Sequence, residues 1–445
     1  MYESDAGCIS IALLGDISPT RRLAVFREER FLKLRDLLNS VDAVFANMEG
    51  SVHKYLDDPH AQRPSGLGGT YGTIEPHVLE DIKWLGIDML ACGSTHADDY
   101  GPDGIMQTIR YLDEAGIVHA GSGRHLAEAR APGFLDTPRG RVALIATTAH
   151  FNPGGRAGAQ RHDTLGYPGV NAVRHHGVYE VDPETMELAK KLGQAIAWDV
   201  EQARRGSLAD KVPDHGQDAY SLLDHTFVPS EALGFKRYAD ESDIEGNVRQ
   251  VRYAKEMADS VIVSMHTHDL GGPSYLSGKR EDPPEFMVEL AKQSIDAGAD
   301  VFVGHGGPSL GVELYQGKPI LYGLSTFIGE LSTVQFLPEH AYERYGLGAD
   351  ATPADFVKYR YEHREGGGAE RGSAFAVCDF EGPGVAEIRL YPIQVGGSAH
   401  PRWQRGRPML AQPEIGRRAI EHIGRLSEKY GTKVDYEDGI GVIHP

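Results

Sequence analysis

Residues 41–50 read Val-Asp-Ala-Val-Phe-Ala-Asn-Met-Glu-Gly, an apolar run through Ala46 that stops abruptly in Asn47, Glu49 and Gly50. A short run closed in this way reads as a buried strand whose C-terminal end carries polar side chains. The same habit recurs along the chain. Ile9–Leu14 runs into Gly15-Asp16, and Ile87–Cys92 into Gly93-Ser94-Thr95-His96. Val261–Met265 runs into His266-Thr267-His268-Asp269, and Ala299–Val303 into Gly304-His305. Amphipathic stretches such as Gly104–Ala115 and Phe286–Ala297 lie between these runs. The alternation predicts an α/β fold with a largely β core flanked by helices. Ligands of such folds gather beyond the strand C-termini, where these polar residues stand.

Two regions interrupt the rhythm. Residues 151–247 are long, His-rich and partly helical over Pro183–Arg205, and residues 335–372 are aromatic and charged, ending in Gly366-Gly367-Gly368. Long insertions beside strand ends are expected to form caps or lids, the alternative being surface decoration. The tail, residues 410–445, is expected to be a peripheral segment with an amphipathic helix over Arg417–Tyr430. The 445 residues are then one domain, 1–445, with insertions.

Composition narrows the function. Acidic residues exceed basic ones by 64 to 45, a net charge of −19, which repels a phosphate backbone and argues against nucleic acid as a partner. It suits a cationic metal or a basic peptide. Cys8, Cys92 and Cys378 have no paired spacing and give no disulfide framework. No run approaches the length of a membrane span, and Met1-Tyr2-Glu3-Ser4-Asp5 has neither a basic leader nor an apolar core. A cytoplasmic protein without membrane partners is the expectation.

Individually the strand-end residues are weak signals, since a Gly-Asp pair is usually a turn and a lone histidine usually structural. Together, Asp16, Asn47, Glu49, His96, Asp99, His266, His268, Asp269 and His305 bring carboxylates and imidazoles from separate strands to one rim. A metal or acid–base site needs that convergence.

The order of these segments resembles the CapA-type branch (poly-γ-glutamate capsule synthesis) of the calcineurin-like metallophosphoesterases, over nearly all of residues 9–330. The resemblance is carried by Gly15-Asp16, by Ala46-Asn47-Met48-Glu49, by the block Ser94–Gly101, by Met265-His266 and by Gly304-His305. Val312-Glu313-Leu314-Tyr315-Gln316-Gly317-Lys318-Pro319-Ile320 is its most specific match. It implies a calcineurin-like α/β/β/α sandwich with metal at the sheet rim. The departures matter as much. The family's asparagine before the block histidine is Thr95 here, and its GHHPH turn is Gly304-His305-Gly306-Gly307-Pro308-Ser309.

Losing nitrogen and amide ligands while keeping Asp16, Asn47 and Glu49 shifts the expected site towards oxygen donors. That favours one hard divalent ion, Ca²⁺ first, with Mg²⁺ or Mn²⁺ as alternatives, over a two-metal pair. The histidines then become available for proton transfer. His96 has Asp99 within reach, and His266, His268 and His305 have Asp269 as one available carboxylate. Two oriented His/Asp pairs across a cavity meet the requirement for Cα epimerisation. On these grounds the chain resembles the epimerases of ribosomal peptides, in particular those of lasso peptides. That resemblance implies a precursor peptide as substrate and its C-terminal residue as the centre inverted. The rival expectations are a metal-dependent hydrolase of amide or phosphoester bonds and a non-catalytic peptide- or polymer-binding module.

Overall fold

A computed structural model describes residues 8–57, 71–205, 218–223, 225–271, 281–363, 373–382, 384–397 and 400–445. The chain divides into two compact units. One comprises Met1–Val173, Ser242–His268 and Leu290–Pro445; the other comprises Arg174–Glu241 and Asp269–Glu289.

The first unit is built on two sheets. In one, the strands Cys8–Ser18, Ala43–Met48, Met89–Ala91 and Val118–Ala120 run parallel, and Ser373–Glu381 joins Cys8–Ser18 antiparallel. In the other, Gly140–Thr148, Ser260–His266, Val301–His305 and Lys318–Leu321 run parallel. Alternation along each strand explains how they stack. Ile9, Ile11, Leu13 and Phe45 of the first sheet share one core with Val142, Leu144, Ile262 and Val301 of the second. The opposite face of the first sheet, including Ala12, Leu14, Val44 and Ala46, packs on Phe31, Leu34 and Leu38 of the helix Glu29–Leu38. Strands buried on both faces read as continuous apolar runs, which is why the sequence betrays them. Over the second sheet, the helix Glu241–Met257 buries Ile244, Val248, Val251 and Ala254. Its Asn247 is tied through the Asn171 amide to the Ala146 carbonyl. This is the calcineurin-like α/β/β/α sandwich.

Several boundaries differ from those expected. The first strand runs through Gly15-Asp16 to Ser18 rather than stopping at Leu14. The helix expected over Pro183–Arg205 is two helices, Pro183–Ala195 and Trp198–Arg205, parted at Ala197, whose φ is +54°. The tail does not lie apart: Ile440–Ile443 pairs with Gly384–Val395 and extends the first sheet, while Ile420 and Ile423 of the helix Pro413–Ser427 enter the inter-sheet core. The insertion of residues 151–247 is not a unit in itself. Its residues 151–173 pack with the first unit, and the second unit combines 174–241 with 269–289 around a four-stranded sheet. Within 335–372, the residues that are described supply Leu337, Ala341, Phe356 and Val357 to a cluster with Tyr71 and Tyr100.

Candidate metal centre

Parallel pairing sets the site residues side by side. Asp16 is opposite Asn47 in the first sheet, and Thr148, His266 and His305 are neighbours across the second. A register shift between Leu13 and Asp16 re-aims the end of the first strand. Gly15 is required there, because a Cβ would stand 1.6 Å from the Ser325 carbonyl oxygen.

The centre is compact. Asp16, Glu49 and His266 each offer a ligand atom, all within 4.8 Å of one another. His266 Nδ1 is 2.9 Å from Glu49 Oε1 and 3.9 Å from Asp16 Oδ1. The Asn47 amide donates to Asp16 Oδ1 at 2.8 Å and its Nδ2 lies 3.2 Å from His266 Nδ1. Behind the ring, Nε2 of His266 is 2.8 Å from the Thr95 hydroxyl. Gly306 donates its backbone N–H to Asp16 Oδ2 at 3.2 Å and has φ of +87°. A Cβ on Gly306 would come within 2.8 Å of the His266 ring.

The electrostatics suit a cation. Burial, reinforced by the nearby Glu49 carboxylate, pushes Asp16 well above the usual carboxylate range. Burial would raise Glu49 too, but His266 pulls it down. Two carboxylates brought together with little exposure to solvent are relieved by a bound positive charge. Asn47 Oδ1 is buried with no hydrogen-bond partner among the described residues. So are both ring nitrogens of His305, whose Nδ1 is 3.6 Å from Asp16 Oδ1. Burial, with His266 nearby, holds the His305 imidazole neutral down to about pH 3. These residues fit a divalent metal ion. His266 adds an imidazole nitrogen to a set that the sequence treats as oxygen donors.

Beside this centre lies an oriented histidine. His96 Nδ1 is 2.7 Å from Asp99 Oδ2, and its Nε2 is 3.7 Å from Glu49 Oε2. Burial opposes its charge, but Asp99 and then Glu49 raise its pKa to about 9. His268 is exposed, with its ring 5.0 Å from that of His266, and its Nδ1 donates to the Gly306 carbonyl. His268 is thus oriented by a backbone carbonyl. Asp269 belongs to the second unit, where its carboxylate pairs with His175 Nε2 and Arg237 Nε, each at 3.1 Å. His266, His268 and His305 therefore take their nearest partners from Glu49, Thr95, Gly306 and Asp16 rather than from Asp269.

Sequence reasoning overlooked three participants. Thr95 reads as a lost ligand, yet it anchors the back of His266. His150 follows a strand end like the others, two residues late, and its Nδ1 lies 3.2 Å from Thr267 Oγ1 and accepts from the His268 backbone N–H at 3.3 Å. Asp98 clamps the following loop by accepting from both the backbone and the side chain of Asn152, each at 3.0 Å.

The chain matches the family described as bacterial capsule synthesis protein PGA_cap over residues 10–330, a span that contains every residue of the centre. It is 32% identical over 456 residues to the uncharacterized protein y4sH of Sinorhizobium fredii, covering 98% of this chain and 92% of that one. It is 22% identical over 333 residues to the PGA biosynthesis protein CapA of Bacillus subtilis, covering 74% and 64% respectively. A "Probable polyglutamine synthesis accessory protein" of Mycobacterium tuberculosis is 24% identical over 259 residues, 58% of this chain and 49% of that one. Among the described residues, no helix is long and apolar enough to cross a membrane.

Proposed function

This chain belongs to the bacterial capsule synthesis protein PGA_cap family, and on that premise we propose that it is a metal-assisted acid–base enzyme that inverts a Cα centre of a peptide. The observation that carries the reading is a pair of histidines, His96 and His268, each oriented through Nδ1 by a different partner beside one candidate metal centre. One ring is backed by a buried carboxylate and favours its charged form; the other is backed by a neutral carbonyl. Pairs of groups whose surroundings differ in this way divide naturally into acid and base.

Asp16, Glu49 and His266, with the Asn47 amide oxygen and His305 adjoining, would hold the divalent ion. When bound, that ion supplies positive charge against a developing enolate oxygen. The mixed oxygen and nitrogen set suits Mn²⁺ as well as the Mg²⁺ or Ca²⁺ that oxygen donors alone would favour. The proton transfers belong to the chain. His268 Nε2, left with its lone pair by the Nδ1 bond to Gly306, takes the Cα proton as the C–H electron pair moves onto the carbonyl. His96 Nε2–H returns a proton to the opposite face of the same carbon. Atoms and charge balance within the pair, and both rings re-equilibrate with water. The substrate proposed is a ribosomal precursor peptide, reacting at its C-terminal residue.

Hydrolysis of an amide or phosphoester is the second reading, favoured by the family and by a carboxylate–imidazole centre able to activate water. One experiment separates them. Peptides are incubated with metal-loaded protein in D₂O and read residue by residue for deuterium and chirality. One labelled Cα with mixed L and D product and an intact backbone is expected. Cleavage with every Cα unlabelled would remove the epimerase reading and establish the hydrolase.

A further inference from the structure

Beyond the strand Gly140–Thr148 the chain turns through Ala149-His150-Phe151-Asn152, a short stretch fastened at both ends to the proposed active site. At its start, the Ala149 N–H donates to the His266 carbonyl at 2.9 Å. The His150 N–H donates to the buried Thr148 hydroxyl at 3.2 Å, and that hydroxyl lies 2.7 Å from the His150 carbonyl. Midway, Phe151 packs on Ala97, Val170 and Ala172. At the far end, the buried Asp98 carboxylate accepts from the Asn152 backbone on one oxygen and from its side chain on the other. The fit is tight, since a Cβ on Gly155 would stand 1.7 Å from Asp98 Oδ2.

The stretch matters because of what His150 touches. Its Nδ1 accepts the backbone N–H of His268 at 3.3 Å and lies 3.2 Å from the Thr267 hydroxyl. A backbone amide can only donate, so Nδ1 meets it with a lone pair. The two imidazoles stand edge to face, with centroids 5.4 Å apart. The strand Ser260–His266 ends two residues before His268, so strand pairing no longer fixes that backbone. His150 holds the His268 main chain, and the Gly306 carbonyl holds its ring. An exposed side chain on a loop keeps a productive geometry only through supporting contacts of this kind. Asp98 and Asp99 are consecutive: Asp99 orients His96, and Asp98 clamps the stretch that carries His150. One turn of chain, Ser94–Gly101, thus supports both rings of the proposed pair.

We infer that His150 is a positioning residue for the proposed base, holding the His268 main chain so that its ring faces the substrate carbon, and that Asp98 keeps His150 in place. The inference rests on the peptide-epimerase reading and adds a residue that takes no part in the proton transfer itself.

The probe is a pool of short random-sequence peptides in D₂O with Mn²⁺-loaded protein, read for deuterium at Cα by mass spectrometry. Each face of the carbon can be followed alone. In His96→Ala protein the Cα proton passes to His268 Nε2, is replaced from solvent and returns to the same face as deuterium. In His268→Ala protein the exchange runs through His96. His150→Phe keeps a ring and loses the acceptor. In the His96→Ala background it should slow exchange by about ten- to a hundredfold, the scale of a small misplacement of a reacting group. His150→Asn, whose side-chain oxygen can stand where Nδ1 stood, should restore most of that rate. Neither substitution should change exchange in the His268→Ala background. Titration calorimetry should show Mn²⁺ bound as tightly by both variants as by wild type, because the contact acts on the His268 main chain and not on the ligand atoms. Equal slowing in both backgrounds, weakened Mn²⁺ binding, or a faster rate with His150→Phe than with His150→Asn would show that His150 merely packs. Any of these would overturn the positioning role and leave the epimerase reading standing. Exchange at no Cα by any form, wild type included, would overturn both.

Discussion

His96 Nδ1 lies 2.7 Å from a carboxylate oxygen of Asp99, and that contact decides the charge of the ring. Burial alone would make His96 a weak base, but Asp99 more than reverses this and carries the pKa to about 9. The group is therefore protonated at neutral pH and loses its proton as pH rises through that value. Asp99→Asn should keep the fold, since the amide has the same shape, yet cost about one to four powers of ten in kcat. The limb of the pH–rate profile that reports the acid form should move to lower pH. Steady-state rates across pH, with thermal unfolding as the control for folding, provide the check.

The Thr95 hydroxyl, 2.8 Å from His266 Nε2, anchors the ring from behind in the orientation that leaves Nδ1 facing Glu49 and Asp16. Groups placed behind a ligating histidine typically contribute about ten- to a hundredfold in metal affinity. Thr95→Val preserves shape and removes the partner, so it should weaken binding of Mn²⁺ by about that factor. Titration calorimetry measures it. Elemental analysis of the wild type should give about one divalent ion per chain, on the donor set present. Two equivalents would point to a second centre.

Much of this architecture was legible in the sequence, for a physical reason. Strands buried on both faces are written as unbroken apolar runs, and the switch to Asp16, Asn47, Glu49, His266 and His305 marks where each run leaves the core. Pairings across the chain were not legible. Asp269 follows His268 directly, yet it belongs to the second unit, where its partners are His175 and Arg237. His266 looked like a base and stands instead among the carboxylates, because strand register, not sequence order, sets its neighbours. Thr95 looked like a deletion because only the side chain's distance to His266 reveals the hydrogen bond that replaces the missing amide.

Gly306 holds φ of +87°, and a Cβ there would meet the Thr267 carbonyl at 2.7 Å and the His266 ring at 2.8 Å. Gly306→Ala therefore combines backbone strain with displacement of a ligand. A loss of about 1–3 kcal/mol is expected from the strain alone, read by urea denaturation. Metal affinity should fall with it, because the Gly306 N–H also holds Asp16.

His305 offers a test of linkage. Burial, with His266 nearby, holds its folded pKa at about 3, below the ordinary value for an unfolded chain. Between those values the unfolded state binds the extra proton, so stability rises with pH and is lost on acidification. From pH 7 to pH 5 this one group should cost the metal-free protein about 2 kcal/mol. His305→Gln removes the titration. Urea unfolding at both pH values should show the variant losing less stability than wild type by about that amount, and an equal loss in both would show that His305 is not held neutral.

The two histidines that flank the centre should fail in different ways. Inversion needs a base on one face of Cα and an acid on the other, because a single base tends to return the proton it took. Removing either ring should therefore stop interconversion of L and D substrate. Exchange with solvent need not stop. With His96→Ala, His268 still faces one side of the carbon, and it can remove and return a proton there. One stereoisomer should then take up deuterium from D₂O without inverting, and the other should stay unlabelled. With His268→Ala the stereoisomer that exchanges should be the opposite one. Asp99→Asn should behave as a weakened His96→Ala, whereas Thr95→Val should slow exchange of both stereoisomers alike, since it acts through the metal centre that serves both directions. Mass spectrometry combined with chiral analysis of each stereoisomer separates these patterns. If His96→Ala and His268→Ala instead abolished exchange of both stereoisomers equally, the two rings would be acting on the same face, and the two-base arrangement would have to be given up.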